Sequence, residues 1–484
     1  MKFRNDISFL RALSVLVVMF FHFQVPYFSG GFIGVDVFFV ISGFLMTQII
    51  LKGIENNTFS LKTFYVKRIN RIIPALLVLL GFVLLISVVF FFKSDIRLNA
   101  KYVFLSEFFV SNIYYWKYTD YFTSHDNILL HTWSLGVEWQ FYLLYPLLIL
   151  LLRKIYLKRK NLFWGIITGI TGLSFLLMIV TTSIDNNFAF YMLPSRFWEL
   201  SVGGLAFFMS QKITLPKTIK SILVLISVLA ILLSVTFISS SILWPSWYTI
   251  IPVFATVLIL ILNLDTPVFD AKPIKFFGDI SYSLYLWHWP WFVFFQYFGF
   301  IEKEHTIILS VISIICAFLS YRFIESKKSV ANLKFVIVLS LVIAMISAVL
   351  FFKTEIVNPL SIYRNEKFEI GNYGNLWLES GKDKQFNPCN CFQTIKDYDF
   401  KKCLTIEEGK KNVLLIGDSH SAQFSEALRE KESFHLLEAS TGYAFPFLDA
   451  RGKIENKPVM DYVFKEFIPA NHHKINLVII SAIG

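Results

Sequence analysis

The chain has 484 residues, 55% of them hydrophobic and 16% charged, with a net charge of +11 at pH 7. A soluble domain carries about 25% charged residues, and apolar stretches of about 20 residues match the thickness of a bilayer, so an ordinary soluble protein is excluded. Lys and Arg gather between the apolar stretches rather than on a face interleaved with aromatics, which assigns them to membrane anchoring and excludes nucleic acid as a partner.

In chain order, hydropathy predicts eleven spans near 8–25, 33–51, 72–92, 131–152, 161–182, 190–210, 219–238, 247–263, 280–298, 304–324 and 333–352. The first reads as an uncleaved anchor, because it holds Arg11 and a second span follows soon after it. With Lys2 and Arg4 on the cytoplasmic side, the basic clusters Lys62 to Arg71, Arg153 to Lys160, Lys212 to Lys220, Lys272 to Lys275 and Arg322 to Lys328 all fall on that side. The segment from Leu98 to Leu130 is semi-apolar but carries Lys101, Glu107, Lys117 and Asp120, so it reads as a packed or re-entrant element rather than a span. An odd number of spans then places everything after Phe352 outside the cytoplasm.

The division expected is a membrane domain over 1–330, a connecting span over 331–352, a linker over 353–411 and a small α/β unit over 412–484. That unit begins with the strand from Asn412, a turn at Gly417-Asp418-Ser419 and a helix from His420 to Arg429. Further strands lie near His435 to Ala439 and Leu477 to Ser481. Three strands with no closing helix are the expectation for a truncated chain. Cys316 reads as core, and an oxidising compartment permits a disulfide from Cys403 to Cys389 or Cys391. No Cys or His spacing suits a metal, so no metal is expected.

The chemistry-bearing residues are those a bilayer disfavours. Arg11 and His22 share one face of the first span, eleven residues and roughly 16 Å apart. A short connection makes Asp36 a hairpin neighbour of His22, where a carboxylate would orient an imidazole acting as a base; closing the hairpin is the structural alternative. Arg68 and Arg71, just ahead of Ile72-Ile73-Pro74, read as a helix entrance that with Arg11 would bind phosphates, or else as ordinary membrane anchors. His131, Ser134 and Glu138 fall along one face, with Tyr142 beyond them. Arg196 and Glu199 lie three apart, beside Gly203 and Gly204, and either line a polar cavity or neutralise each other. His288 precedes Pro290 near mid-membrane, where a polar cavity is expected.

Arg11 with His22, the run Gly34-Val-Asp-Val-Phe-Phe-Val-Ile-Ser-Gly-Phe44, Arg68 with Arg71, Trp133-Ser-Leu-Gly-Val-Glu138 and Tyr282-Ser-Leu-Tyr-Leu-Trp-His288 together resemble the integral-membrane acyltransferase family three. This is the group of O-antigen and peptidoglycan O-acetylases, and the resemblance spans residues 5–330. It implies an α-helical polytopic bundle in the bacterial cytoplasmic (inner) membrane, with the N-terminus cytoplasmic. It also implies an O-acyltransferase that moves an acyl group from cytoplasmic acyl-CoA, usually acetyl-CoA, to a hydroxyl of an envelope polysaccharide. The acceptor would be lipopolysaccharide O-antigen, peptidoglycan or a lipid-linked glycan, with membrane lipids around the bundle. His22 would be the essential histidine, with Asp36 and Glu138 beside it in the chemistry. Arg11, Arg68 and Arg71 would serve the donor, and Ser134, Tyr142, Arg196, Glu199 and His288 would shape the substrate cavity.

The tail resembles the external SGNH-hydrolase-like domain fused to such enzymes, with Ser419 as nucleophile and Gly442 as an oxyanion donor. That family's Asp-x-x-His is absent; His435, His472 and His473 do not fit it, so no complete triad is assigned. Transfer is direct or relayed through Ser419. Two other classes use similar residues, a proton-coupled transporter and a non-catalytic envelope scaffold.

Overall fold

Within a bilayer every backbone N–H and C=O must be satisfied inside its own segment, so long apolar runs fold as helices. The computed structural model describes residues 4–124, 126–298, 305–326, 333–354, 389–391, 398–417, 421, 425, 428, 433–441 and 457–481. The chain divides into two units, 1–364 and 365–484.

The first unit is helical. Its elements are α1 (Asn5–His22), α2 (Gly34–Glu55), α3 (Leu61–Phe90), α4 (Lys93–Glu107), α5 (Ser111–Tyr118), α6 (Trp133–Leu151), α7 (Arg153–Lys158) and α8 (Lys160–Ile184). There follow α9 (Asn186–Tyr191), α10 (Leu193–Ser210), α11 (Lys217–Phe237), α12 (Ile250–Leu262), α13 (Pro267–Asp270), α14 (Lys272–Tyr297), α15 (His305–Ser320) and α16 (Leu333–Phe352).

A helix stands at each of the eleven predicted spans. Among the described residues eight helices are long and apolar enough to cross a membrane: α1, α2, α3, α6, α8, α11, α15 and α16. The other three depart from that standard for visible reasons: α10 carries Arg196 and Glu199, α12 has only 13 residues, and α14, uncharged from Ile280 to Tyr297, is rich there in Ser, Tyr, Trp and His. The segment left outside the spans is α4, α5 and a loop, and the loop turns back into the bundle. There Trp289 Nε1 donates to the Asn127 carbonyl at 2.8 Å.

The tightest helix crossing is α2 against α10. A Cβ on Gly43 would stand 1.6 Å from the Leu200 carbonyl oxygen, and one on Gly203 2.0 Å from that of Val40. Only glycine permits backbones to approach so closely.

The second unit is built on a parallel sheet of β1 (Asn390–Cys391), β2 (Asn412–Gly417), β3 (His435–Thr441) and β4 (Ile475–Ser481), in the order β1-β3-β2-β4. The three predicted strands are present, and β1 precedes them. Every residue of β2 is buried, as an unbroken apolar run flanked on both sides requires. A disulfide joins Cys389 to Cys403, with Cα atoms 5.3 Å apart, so Cys389 rather than Cys391 takes the bond. Tyr398, Cys403 and Leu404 share a buried cluster with Leu414, Ile416 and Leu437. From Cys389 on, the described part of the supposed linker therefore packs into this unit. Asp418, Ser419 and Gly442 lie outside the described residues.

Candidate active site

Helices α1, α2, α3, α6 and α14 line an open cleft, with about 830 Å³ of empty space counting the solvent at its mouth. Its lining includes Arg11 from α1, Ser42 from α2, Arg68 and Arg71 from α3, Ser134, Glu138 and Tyr142 from α6, and Ser281, Tyr282 and Tyr285 from α14. Six predicted site residues, Arg11, Arg68, Arg71, Ser134, Glu138 and Tyr142, thus meet in one place, from helices far apart in sequence.

One predicted detail is corrected. α3 begins at Leu61, capped by Ser60 Oγ accepting from the Thr63 amide at 3.3 Å, so Arg68 and Arg71 sit two to three turns inside the helix. The field of a helix end fades beyond its first turn, so positive charge here comes from the guanidiniums alone. None of the three arginines forms an ion pair among the described residues. Arg68 Nε and Ser281 Oγ are buried with no hydrogen-bond partner among the described residues. Buried donors are seldom left unmatched, and an anionic, oxygen-rich ligand would satisfy these.

Midway along the cleft, Glu138 accepts from the hydroxyls of Ser42 and Tyr142. At its far end Tyr285 is pinned: its hydroxyl lies 2.6 Å from Ser134 Oγ and donates to the His131 carbonyl at 2.8 Å. His131 itself belongs to a 3-10 turn ahead of α6, so its ring leaves the face of Ser134 and Glu138 and lies 5.7 Å from the ring of His288.

His22 lies beyond Tyr285 rather than on the cleft wall. Its Nδ1 is 2.8 Å from His288 Nε2, and its Nε2 is 2.8 Å from Tyr121 Oη. The two imidazoles are nearly parallel, with centroids 5.0 Å apart, and Trp289 packs at 4.5 Å. His288, expected among the cavity residues, instead bonds to His22 directly. One side chain, Tyr285, whose ring is 5.6 Å from that of His288, separates this pair from the arginine cleft.

Asp36 does not occupy the place expected of it. Both nitrogens of His22 are engaged by other groups, and Asp36 Oδ1 is paired with Arg196 at 2.8 Å. Arg196 also bonds Glu199 at 2.6 Å, and the rings of Phe39, Trp133 and Phe190 lie within 5.7 Å of its guanidinium. All three charged groups are buried. Arg196 and Glu199 are therefore corrected from cavity residues to an internal ionic cluster with Asp36, outside the cleft lining.

The family described as "Acyltransferase domain" matches residues 4–322, which contain the cleft and every residue described around it. The chain belongs to acyltransferase family three. This acyltransferase is 33% identical over 350 residues to the peptidoglycan O-acetyltransferase OatA of Listeria monocytogenes, covering 67% of this chain and 56% of that protein. It is 32% identical over 338 residues to the O-acetyltransferase OatA of Staphylococcus aureus, covering 66% and 56%. A putative O-acetyltransferase of Staphylococcus aureus strain MSSA476 is 30% identical over 350 residues, covering 67% and 57%. These matches span little more than half the length of the relatives. No solved structure matches the chain.

Sequence reasoning missed Tyr121, Ser42 and Ser281. Tyr121 sits in a polar loop with no periodicity to mark it, whereas Ser42 belongs to a quoted motif and Ser281 directly precedes one, and both are singled out by facing the cleft.

Proposed function

We propose that this chain is a membrane O-acetyltransferase that moves an acetyl group from acetyl-CoA to a hydroxyl of peptidoglycan. Family membership and the OatA relatives support the reaction class and the polysaccharide acceptor. The observation that carries the reading is the cleft: it is lined by three guanidiniums that form no ion pair among the described residues, and by Tyr285, whose ring lies 5.6 Å from that of His288, the hydrogen-bond partner of His22.

In this reading the CoA phosphates lie against Arg11, Arg68 and Arg71 on the cytoplasmic side, by bidentate charge-assisted hydrogen bonds. The pantetheine arm runs past Glu138 and Tyr142 and brings the thioester up to Tyr285. Nε2 of His22 takes the proton of the acceptor hydroxyl as its oxygen attacks the thioester carbonyl. The C–O bond forms, the C–S bond breaks, and the proton passes to the departing thiolate, giving free CoA and an acetyl ester. The tail serves as an SGNH-type unit on the outer side, either presenting the acceptor or relaying the acetyl group through Ser419.

Replacing His22 by Ala tests the reading. Alkali-released acetate from purified cell walls is expected to fall to the level of cells lacking the gene, while the variant stays in the membrane at normal abundance. Unchanged acetate at equal abundance would end the assignment.

A further inference from the structure

We infer that His288 is the positioning residue of the proposed transfer, holding His22 in the tautomer whose Nε2 carries the lone pair. The inference rests on the acyltransferase reading for its catalytic meaning, and on hydrogen-bond geometry for the tautomer itself.

The tautomer is fixed outward from a backbone carbonyl. His288 Nδ1 lies 3.0 Å from the carbonyl oxygen of Leu284, one turn earlier in α14. A carbonyl only accepts, so Nδ1 of His288 must carry the hydrogen. A neutral imidazole has a single N–H, which leaves Nε2 of His288 as an acceptor. The nitrogen it meets at 2.8 Å is Nδ1 of His22, which must therefore be the donor. Nε2 of His22 is then free of hydrogen, and the Tyr121 hydroxyl donates to it at 2.8 Å. The direction of every bond follows from the fixed polarity of one peptide group.

This arrangement meets the requirement that Asp36 was expected to meet. A base must present its lone pair to the reacting hydroxyl, and something behind it must hold the other ring nitrogen as N–H. A carboxylate does this with a full negative charge. Here a neutral imidazole does it, itself locked by Leu284, and both rings are buried among Phe23, Trp289 and Phe292. When the acceptor hydroxyl displaces Tyr121 from Nε2, its proton arrives on His22 while Nδ1–H still donates to His288. The imidazolium forms without either ring turning.

The test uses the full chain in lipid and the variants His288→Leu and His288→Gln. Leucine removes the acceptor, whereas the glutamine carbonyl oxygen reaches the position of Nε2 and accepts from His22. Transfer of acetyl from acetyl-CoA to a glycan acceptor is expected to lose about 10²- to 10⁴-fold in kcat for His288→Leu, the range of a general base, with donor KM unchanged. His288→Gln is expected to recover most of that loss. A leucine variant within threefold of the parent, a glutamine variant no better than leucine, or a loss confined to donor KM overturns the proposal.

A second measurement is independent of activity. Histidine ¹⁵N shifts, with His22 assigned by its loss in His22→Ala, are expected to show Nδ1 protonated and Nε2 unprotonated in the parent, and mixed tautomers in His288→Leu. A parent protein with Nε2 protonated refutes the positioning role outright. If the tautomer is as stated but His22→Ala still transfers acetyl, the enzyme reading fails while His288's hold on His22 stands.

Discussion

Arg11, Arg68 and Arg71 carry positive charge into a cleft where no described carboxylate within ion-pair distance answers it. Each charge-assisted hydrogen bond to a phosphate contributes about 1.5–3 kcal/mol, or about 10- to 100-fold in affinity. Arg11→Ala is therefore expected to raise the acetyl-CoA KM by about that factor and to leave the acceptor KM nearly unchanged, measured in membranes with each substrate varied in turn. Arg68→Lys should lose much of the same affinity, because an ammonium cannot reproduce a planar fork. These residues were legible in the sequence because a guanidinium in or beside an apolar run is costly and marks a site. Their partners were less so. Asp36 follows His22 across a short hairpin, yet hairpin connection fixes which helices are neighbours and not the rotation of either about its axis. The rotation of α2 turns Asp36 to Arg196, and His22 finds His288, 266 positions away.

At the scale of helices, the crossing of α2 and α10 holds the buried cluster together. Gly43 and Gly203 let the backbones meet, and the closeness brings Asp36 within reach of Arg196. Removing one partner of a buried ion pair costs about 3–5 kcal/mol, since a charge is left uncompensated. Arg196→Ala leaves two carboxylates without their cation and is expected to lower the thermal midpoint of detergent-solubilised protein far more than Arg11→Ala, which vacates an open cleft. Comparing the two melts decides between a structural cluster and a substrate-binding one. Gly203→Ala is expected to act in the same direction by forcing the helices apart, at about 1–3 kcal/mol. A helix stands where hydropathy predicted each of the eleven spans, and eight of these, among the described residues, are long and apolar enough to cross a membrane. Hydropathy misplaced the start of α3, since it finds the membrane boundary and not the end of a helix: Leu61 to Arg71 is helical but polar. It was also silent on the loop that delivers Tyr121, whose position depends on tertiary contacts such as that of Trp289 with Asn127.

For the whole molecule, the parity of the spans and the chemistry of the tail constrain each other. A disulfide such as Cys389–Cys403 persists in an oxidising compartment and is reduced in the cytosol. If the basic N-terminal end stays inside, as the charge of the loops argues, an odd number of crossings is needed before Lys353. The eight helices that meet a strict length and apolarity standard would return the tail to the cytosol. Counting α10, α12 and α14 makes eleven and carries it out. On that count, parity turns on the three helices whose polar content or shortness conceals them, and in α10 the charges are paired internally in the Asp36–Arg196–Glu199 cluster. The proposed topology gives a direct expectation. A phosphatase that folds only outside the cytoplasm, fused after Thr354, should be active; the same enzyme fused after Lys158, in the basic connection between α6 and α8, should be inactive. In intact cells a membrane-impermeant thiol reagent should label Cys389 and Cys403 only after reduction. An inactive fusion after Thr354 would mean an even number of crossings, and would put the tail on the same side as the arginines, where it could not meet a peptidoglycan acceptor.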